Sequence, residues 1–181
     1  MVIDNTLYHG RPDKAREARE DSCYDLLDAL GIDYYRVDHE HADTIEACRE
    51  VEMLLGCTIC KNLFLCNRQK TDFYLYLSLP DRAFRTADIS KKLQVSRLSF
   101  APDTALPELL NMESGSLSPL GLWWDTEHRV TLVMDHDLRQ APRLAFHPCD
   151  HTGTVLFTRE VFYEKVLPSL HCVVIELHVG S

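Results

Sequence analysis

"KNLFLCNRQKTDFYLYLSL", Lys61 to Leu79, is the stretch on which the fold turns. Two apolar runs, Lys61–Asn67 and Asp72–Leu79, flank the polar "RQKT". Leucine, phenylalanine and tyrosine at this density favour extended chain, and the short polar link makes the pair a hairpin, though without the Asn-Gly turn that marks the tightest ones. Two strands in immediate succession do not fit a strictly alternating, doubly wound sheet. They predict a mixed α+β domain.

Outward from the hairpin the pattern extends in both directions. Upstream, Asp13–Leu30 is rich in helix formers, with Cys23, Leu26, Leu27 and Leu30 at helical spacing and Gly31 placed to end the helix. A short strand is expected over Asp33–Val37. A second helix runs to Leu55, capped by Asp43 or Thr44, with Ala47, Cys48, Val51, Leu54 and Leu55 as its apolar face. Downstream, helices are expected over Thr86–Gln94, from Pro102-Asp103 to Met112, and over Arg159–Leu167. Arg97–Ala101, Arg129–Asp135, Arg143–Pro148, Thr154–Phe157 and the β-branched Cys172–Val179 read as strands. No repeat or low-complexity linker interrupts them.

The 181 residues suit a single domain with a real core, and 45% hydrophobic with 26% charged residues is globular composition. A net charge of −9 argues against coating DNA or RNA through bulk electrostatics, yet leaves room for a local contact with one phosphate or one RNA end. No apolar run approaches the roughly 18–20 residues of a membrane span, and the N-terminal stretch has no apolar signal core. The expected location is the cytoplasm, which also suits seven scattered cysteines kept as thiols. Cys57 and Cys60 have C-x-x-C spacing, but no second pair completes a zinc site, so they read as core residues. His39 and His41 share a strand face with nothing near them in sequence to complete a site. Neither metal nor cofactor is expected.

Three segments place polarity where chemistry could use it. Lys61 and Asn62 open an apolar strand: a solvated strand end, or an ammonium held rigidly toward a phosphate. His147 ends a strand before Pro148: a structural imidazole, or one aimed into a cleft. "MESGSLSPLGL", Met112–Leu122, is dense in serine but spells G-x-x-x-P from Gly115 to Pro119, so it is no G-x-S-x-G nucleophile elbow. It is a turn, or a loop whose glycine lets backbone approach a ligand.

In order along the chain, "KNLFL", "RLSFA", "GSLSPLGL", "TEHRVTLVMD" and "FHP" followed by Thr152, Thr154 and Val155 resemble the YbaK/prolyl-tRNA-synthetase-associated editing domain. The likeness runs from about Asp25 to His178 and is nearest the free-standing deacylases that remove alanine from mischarged tRNA(Pro). It implies a single domain with a mixed, curved, barrel-like sheet surrounded by helices, residues 25–181 forming the editing domain and 1–24 an N-terminal helical extension of it. By position, Lys61 resembles the lysine that holds the phosphate of the terminal adenosine, Asn62 its partner at the pocket mouth, and Gly115 to Pro119 the loop that orients water and ribose. On that resemblance Lys61, Gly115 and His147 are the catalytic candidates, with Asn62, Ser116, Leu117, Ser118 and Pro119 binding substrate.

The implied reaction has no covalent nucleophile. A neighbouring ribose hydroxyl helps activate water, and Ser116 and Ser118 shape the loop. The implied partners are the acceptor end of mischarged tRNA(Pro) and prolyl-tRNA synthetase. The chain departs from the family at Glu40, where proline is frequent, at His151, where asparagine is common, and at Cys149, which replaces a leucine. A deacylase for cysteinyl-tRNA(Pro) and a non-catalytic tRNA-end binding module are the alternative readings.

Overall fold

The computed structural model describes residues 3–40 and 45–179. The cap proposed at Asp43 or Thr44, the side chain of Ala47, and His41 of the histidine pair lie outside them.

The hairpin forms as expected. β3 (Lys61–Cys66) and β4 (Phe73–Ser78) pair antiparallel from Lys61 opposite Ser78 to Cys66 opposite Phe73. The turn is fastened by Asn67, whose Oδ1 accepts from the amides of Thr71 and Asp72 at 2.9 and 3.2 Å. One side chain thus supplies the closure that an Asn-Gly pair would otherwise give.

Before the hairpin come β1 (Tyr8–His9), α1 (Ala18–Ala29), β2 (Tyr35–Asp38) and α2 (Ile45–Leu55). After it come α3 (Thr86–Leu93), β5 (Ser99–Phe100), α4 (Ala105–Leu110), β6 (Val130–Asp135), β7 (Arg143–Phe146), β8 (Gly153–Thr158) and β9 (Val174–Leu177). A helical segment, 159–169, with a π-helical turn at Phe162–Val166 precedes β9. Two 3-10 turns, Pro119–Trp124 and His136–Gln140, were not expected from sequence.

The architecture is α+β, but the strands form two sheets rather than one. β1-β2-β8-β7 is antiparallel throughout, while β5-β3-β4-β6-β9 is mixed, with β4, β6 and β9 parallel. The sheets meet at one corner, where Ile59 bridges to Ala145 and the Cys60 amide donates to the Ala145 carbonyl at 3.3 Å.

The period-2 pattern explains why both faces of each sheet are covered. Phe64, Leu75, Leu77, Leu132, Met134, Leu144, Phe146, Val155 and Phe157 point between the sheets into the main core. Their alternates on the five-stranded sheet, Leu65, Tyr76 and Val133, pack with Ile89 of α3. Those on the four-stranded sheet, Ala145 and Leu156, pack with Val51 and Leu55 of α2. Each fully buried leucine or phenylalanine contributes about 1.5–3 kcal/mol of transfer free energy, which sets both helix placements.

α1 departs from expectation twice. It begins at Ala18 rather than Asp13, and its buried residues are Glu20, Cys23, Tyr24 and Leu27, with Leu30 47% exposed. The face is rotated toward Glu20 because that carboxylate finds partners inside: the Tyr24 hydroxyl donates to it at 3.1 Å, and the Thr152 hydroxyl lies 3.1 Å from its other oxygen. Among the described residues no helix is long and apolar enough to cross a membrane.

Candidate functional site

The start of β3 projects its side chains alternately, so neighbours Lys61 and Asn62 face different cavities. Lys61 lines a cleft of about 660 Å³ with His39, Val51, Glu52, Ile59, Pro80, Ser114, Gly115, His147, His151 and Thr154 on its walls. Asn62 lines an adjoining cavity of about 490 Å³ with Phe64, Phe100, Asp103, Leu106 and Leu117. Ile59, Ser114, Gly115 and His147 belong to both, forming the partition between them.

Lys61 is half-buried and its Nζ donates to the Arg82 carbonyl at 2.7 Å. Arg82 is itself held by Asp137 and by Asp135, whose Oδ2 lies 3.6 Å from its Nε. The lysine is thus tethered through one of its three N–H donors, and the other two are left for a ligand or solvent. Asn62 Nδ2 donates to the Cys60 carbonyl at 2.8 Å, while its Oδ1 is buried with no protein partner. An amide oxygen left so is an acceptor in waiting.

The Met112–Leu122 loop is built from its own sequence. Gly115 has φ +92°, a conformation that side chains resist, and is exposed on the partition together with Ser114. The Ser116 hydroxyl donates to the Glu113 carbonyl at 2.9 Å, and the Ser116 amide donates to the same oxygen at 3.2 Å. Ser118 Oγ accepts from the Leu120 amide at 3.2 Å and caps the 3-10 turn that Pro119 begins. Ser116, Ser118 and Pro119 are buried behind the wall, whereas Gly115 and Leu117 form it. Gly121 has its own reason: a Cβ there would lie 2.8 Å from the Leu110 carbonyl oxygen, so only glycine lets this turn pack on α4.

His147 is carried by the end of β7. Its Nδ1 lies 2.8 Å from the Gly153 carbonyl oxygen, which can only accept, so Nδ1 carries the proton and Nε2 is the bare acceptor. Burial lowers the imidazole's pKa to about 4, outweighing the Gly153 hydrogen bond. At neutral pH this histidine is uncharged, donating through Nδ1 and able to accept through Nε2.

Because the folded protein holds His147 neutral, its contribution to stability is complete above pH 6.5. It is lost as pH falls from 6.5 toward 4, over which the unfolded chain takes the proton first. The shift corresponds to roughly 3 kcal/mol. His147→Gln is therefore expected to narrow the stability difference between pH 7 and pH 4.5 relative to wild type. Urea unfolding at the two pH values checks this, and an unchanged difference would contradict it.

His39 is the site residue that sequence reasoning passed over. Its ring stands edge-on to His147, centroids 6.1 Å apart, with Nε2 2.8 Å from the Thr154 hydroxyl. The i,i+2 pairing with His41 pointed at the wrong neighbour, since Thr154 lies on β8, the strand next to β2. Glu52 and Asp103 carry no local motif, whereas Thr154 and Phe100 lie inside the FHP and RLSFA stretches without being singled out by them. Cys57 and Cys60, by contrast, sit where burial raises their thiols to about 11 and about 12. Neither is a thiolate at neutral pH, and thiolate is the form that binds metal or attacks.

α1 reaches the site from outside. Arg19 Nη2 donates to Glu113 at 2.6 Å, at the foot of the Gly115 loop, and its Nε lies 3.8 Å from Asp150 in the loop after His147. Glu20 holds Thr152 in that same loop, one residue before the carbonyl that fixes His147.

The family profile described as "Aminoacyl-tRNA editing domain" matches residues 39–162. The prolyl-tRNA editing protein ProX of Acetoanaerobium sticklandii is 31% identical over 134 residues, 74% of this chain and 82% of that protein. A mouse (Mus musculus) protein named prolyl-tRNA synthetase associated domain-containing protein 1 is 32% identical over 140 residues, covering 75% of this chain and 82% of its own. A crystal structure of a proposed trans-editing enzyme for prolyl tRNA synthetase superposes with a TM-score of 0.67 at 17% identity, covering 92% of this chain and all of that one. That similarity concerns the fold.

Proposed function

The chain belongs to the aminoacyl-tRNA editing domain family, and from that premise we propose that it is a trans-editing deacylase. It hydrolyses the ester of mischarged tRNA(Pro), with alanyl-tRNA(Pro) as preferred substrate. The observation that carries the reading is that Lys61, Gly115 and His147, far apart in sequence, line one cleft.

The division of labour follows from the chemistry of each group. Lys61, a cation tethered to the Arg82 carbonyl at the cleft, takes the phosphate of the terminal nucleotide. The exposed backbone of Ser114 and Gly115 orients the ribose and a water against the ester. Neutral His147 accepts a hydrogen bond through Nε2 from the aminoacyl group or the water. The neighbouring ribose hydroxyl assists in taking the proton. Water adds to the ester carbonyl, the carbon–oxygen bond to the ribose breaks, and the ribose oxygen leaves with a proton. An aminoacyl ester is activated already, so positioning and electrostatic complementarity suffice. Ser116 and Ser118 spend their hydroxyls inside the loop, which argues against either as a nucleophile.

Val51, Ile59 and Cys48 give the cleft beside His147 an apolar wall that suits a methyl side chain. The biological need is clear in energetic terms. A pocket built for proline rejects the smaller alanine by only about 1–3 kcal/mol, so a second site that admits the smaller residue is required. The acceptor end of the tRNA, and prolyl-tRNA synthetase working beside it, are the partners this reading assigns.

Single-turnover deacylation of alanyl-, cysteinyl- and seryl-tRNA(Pro) side by side tests the proposal. Alanine is expected to be released fastest. Faster release of cysteine assigns the chain to the cysteinyl branch, and retained tRNA binding with no hydrolysis of any ester makes it a binding module.

A further inference from the structure

We infer that Phe100 is a stacking platform for the base of the terminal nucleotide, adenine in a tRNA acceptor end. This rests on the deacylase reading and adds the ligand of the second cavity. Phe100 is 60% exposed, an unusual state for a phenylalanine held on a strand. Of the large hydrophobic side chains exposed to this degree or near it among the described residues, which include Leu7, Met53 and Val173, Phe100 is the one on a wall of the site.

Its position is rigid. β5 pairs Phe100 with Leu65 of β3, and the next amide, Ala101, donates to the Phe64 carbonyl at 2.9 Å. Behind the ring stands Phe84, centroid 5.9 Å away at 50°, and Phe84 in turn lies 5.3 Å from Tyr76. An aromatic row thus braces one side of Phe100 while the rest of the ring remains open.

Charge decides which part of a nucleotide belongs there. Asp103 is the acidic side chain on the Phe100 cavity, and among the described residues its wall offers a phosphodiester no lysine or arginine. Lys61 is the cation on the adjoining cleft, where the acid on the wall, Glu52, is engaged by the Ile59 amide, which donates to its Oε1 at 2.9 Å. A nucleotide spanning the Gly115–His147 partition therefore sends its phosphate toward Lys61 and its base toward Phe100. With a net charge of −9 the protein gains little from bulk attraction to RNA, so affinity for an unpaired end must come from contacts of this kind. A π-face accepts any base, but the geometry places the last one, whose ribose bears the ester.

The test compares wild type with Phe100→Ala, Phe100→Leu and Phe100→Trp. Phe100→Ala and Phe100→Leu are expected to lower kcat/KM for alanyl-tRNA(Pro) and for 3′-alanyl-adenosine by about 10- to 100-fold, the range that base–aromatic stacking supports, while Phe100→Trp retains it. Calorimetric binding of adenosine 5′-monophosphate should weaken in parallel, whereas ribose 5-phosphate, which lacks the base, keeps its affinity. Weaker AMP binding in an enzyme that deacylates nothing upholds the platform and sinks the deacylase reading. Unchanged AMP binding and unchanged kcat/KM overturn the platform, as does an equal loss of affinity for ribose 5-phosphate.

Discussion

Lys61→Ala is expected to slow single-turnover deacylation about 10- to 100-fold while leaving the fold intact. A charge-assisted hydrogen bond to phosphate contributes about 1.5–3 kcal/mol, and that range sets the magnitude. The side chain is half-buried at a strand end, and the backbone pairing of β3 with β4 does not depend on it. Removing it leaves the Arg82 carbonyl without its donor, a stability effect small enough to measure separately by thermal unfolding. Lys61→Arg should restore only part of the rate, because a planar fork does not reproduce a point charge held against one carbonyl. Wild-type rates for Lys61→Ala at both saturating and limiting enzyme would remove the phosphate anchor from the mechanism.

A larger loss, beyond 100-fold, is expected for Gly115→Val. Holding a β-branched residue at φ +92° costs a few kcal/mol, on the order of 1–3 for a strained backbone position alone. The added side chain also enters the partition that both cavities share. Ser116→Ala and Ser118→Ala, two substitutions in the same loop, should keep activity within a few-fold of wild type. Each loses a hydrogen bond or cap of about 1 kcal/mol, visible as a lower melting temperature. A serine variant that loses all activity, with an acyl-enzyme trapped in the wild type by mass spectrometry, would restore a serine nucleophile and overturn the positioned-water reaction.

Much of the fold was legible in the sequence because it rests on local alternation. Lys61–Cys66 and Phe73–Ser78 become strands since every second side chain has a core to enter, and both of their faces are covered. The division into two sheets was not legible. It depends on pairings such as that of β2 with β8, Tyr35 opposite Leu156, between segments that no window of sequence contains. The rotation of α1 has the same origin: Glu20 is buried for the sake of Thr152, which is 132 residues away. The 3-10 turns at Pro119–Trp124 and His136–Gln140 are too short to show a period.

The candidate site divides along the same line. Lys61, Gly115 and His147 came forward through motif resemblance and lie on one cleft. His39 had no motif to announce it, and Phe100 lay within RLSFA without being singled out there. Their significance comes from what the fold sets beside them: Thr154 and His147 for the one, Phe84 and the Asn62 cavity for the other.

The helix before residue 30 lies outside the segment matched by the family profile, yet it holds both walls of the cleft, Arg19 gripping the Gly115 loop and Glu20 the loop behind His147. Two loops fastened to one strut are coupled through it: a loss of α1 packing would take a contact from the glycine wall and from the histidine wall at once.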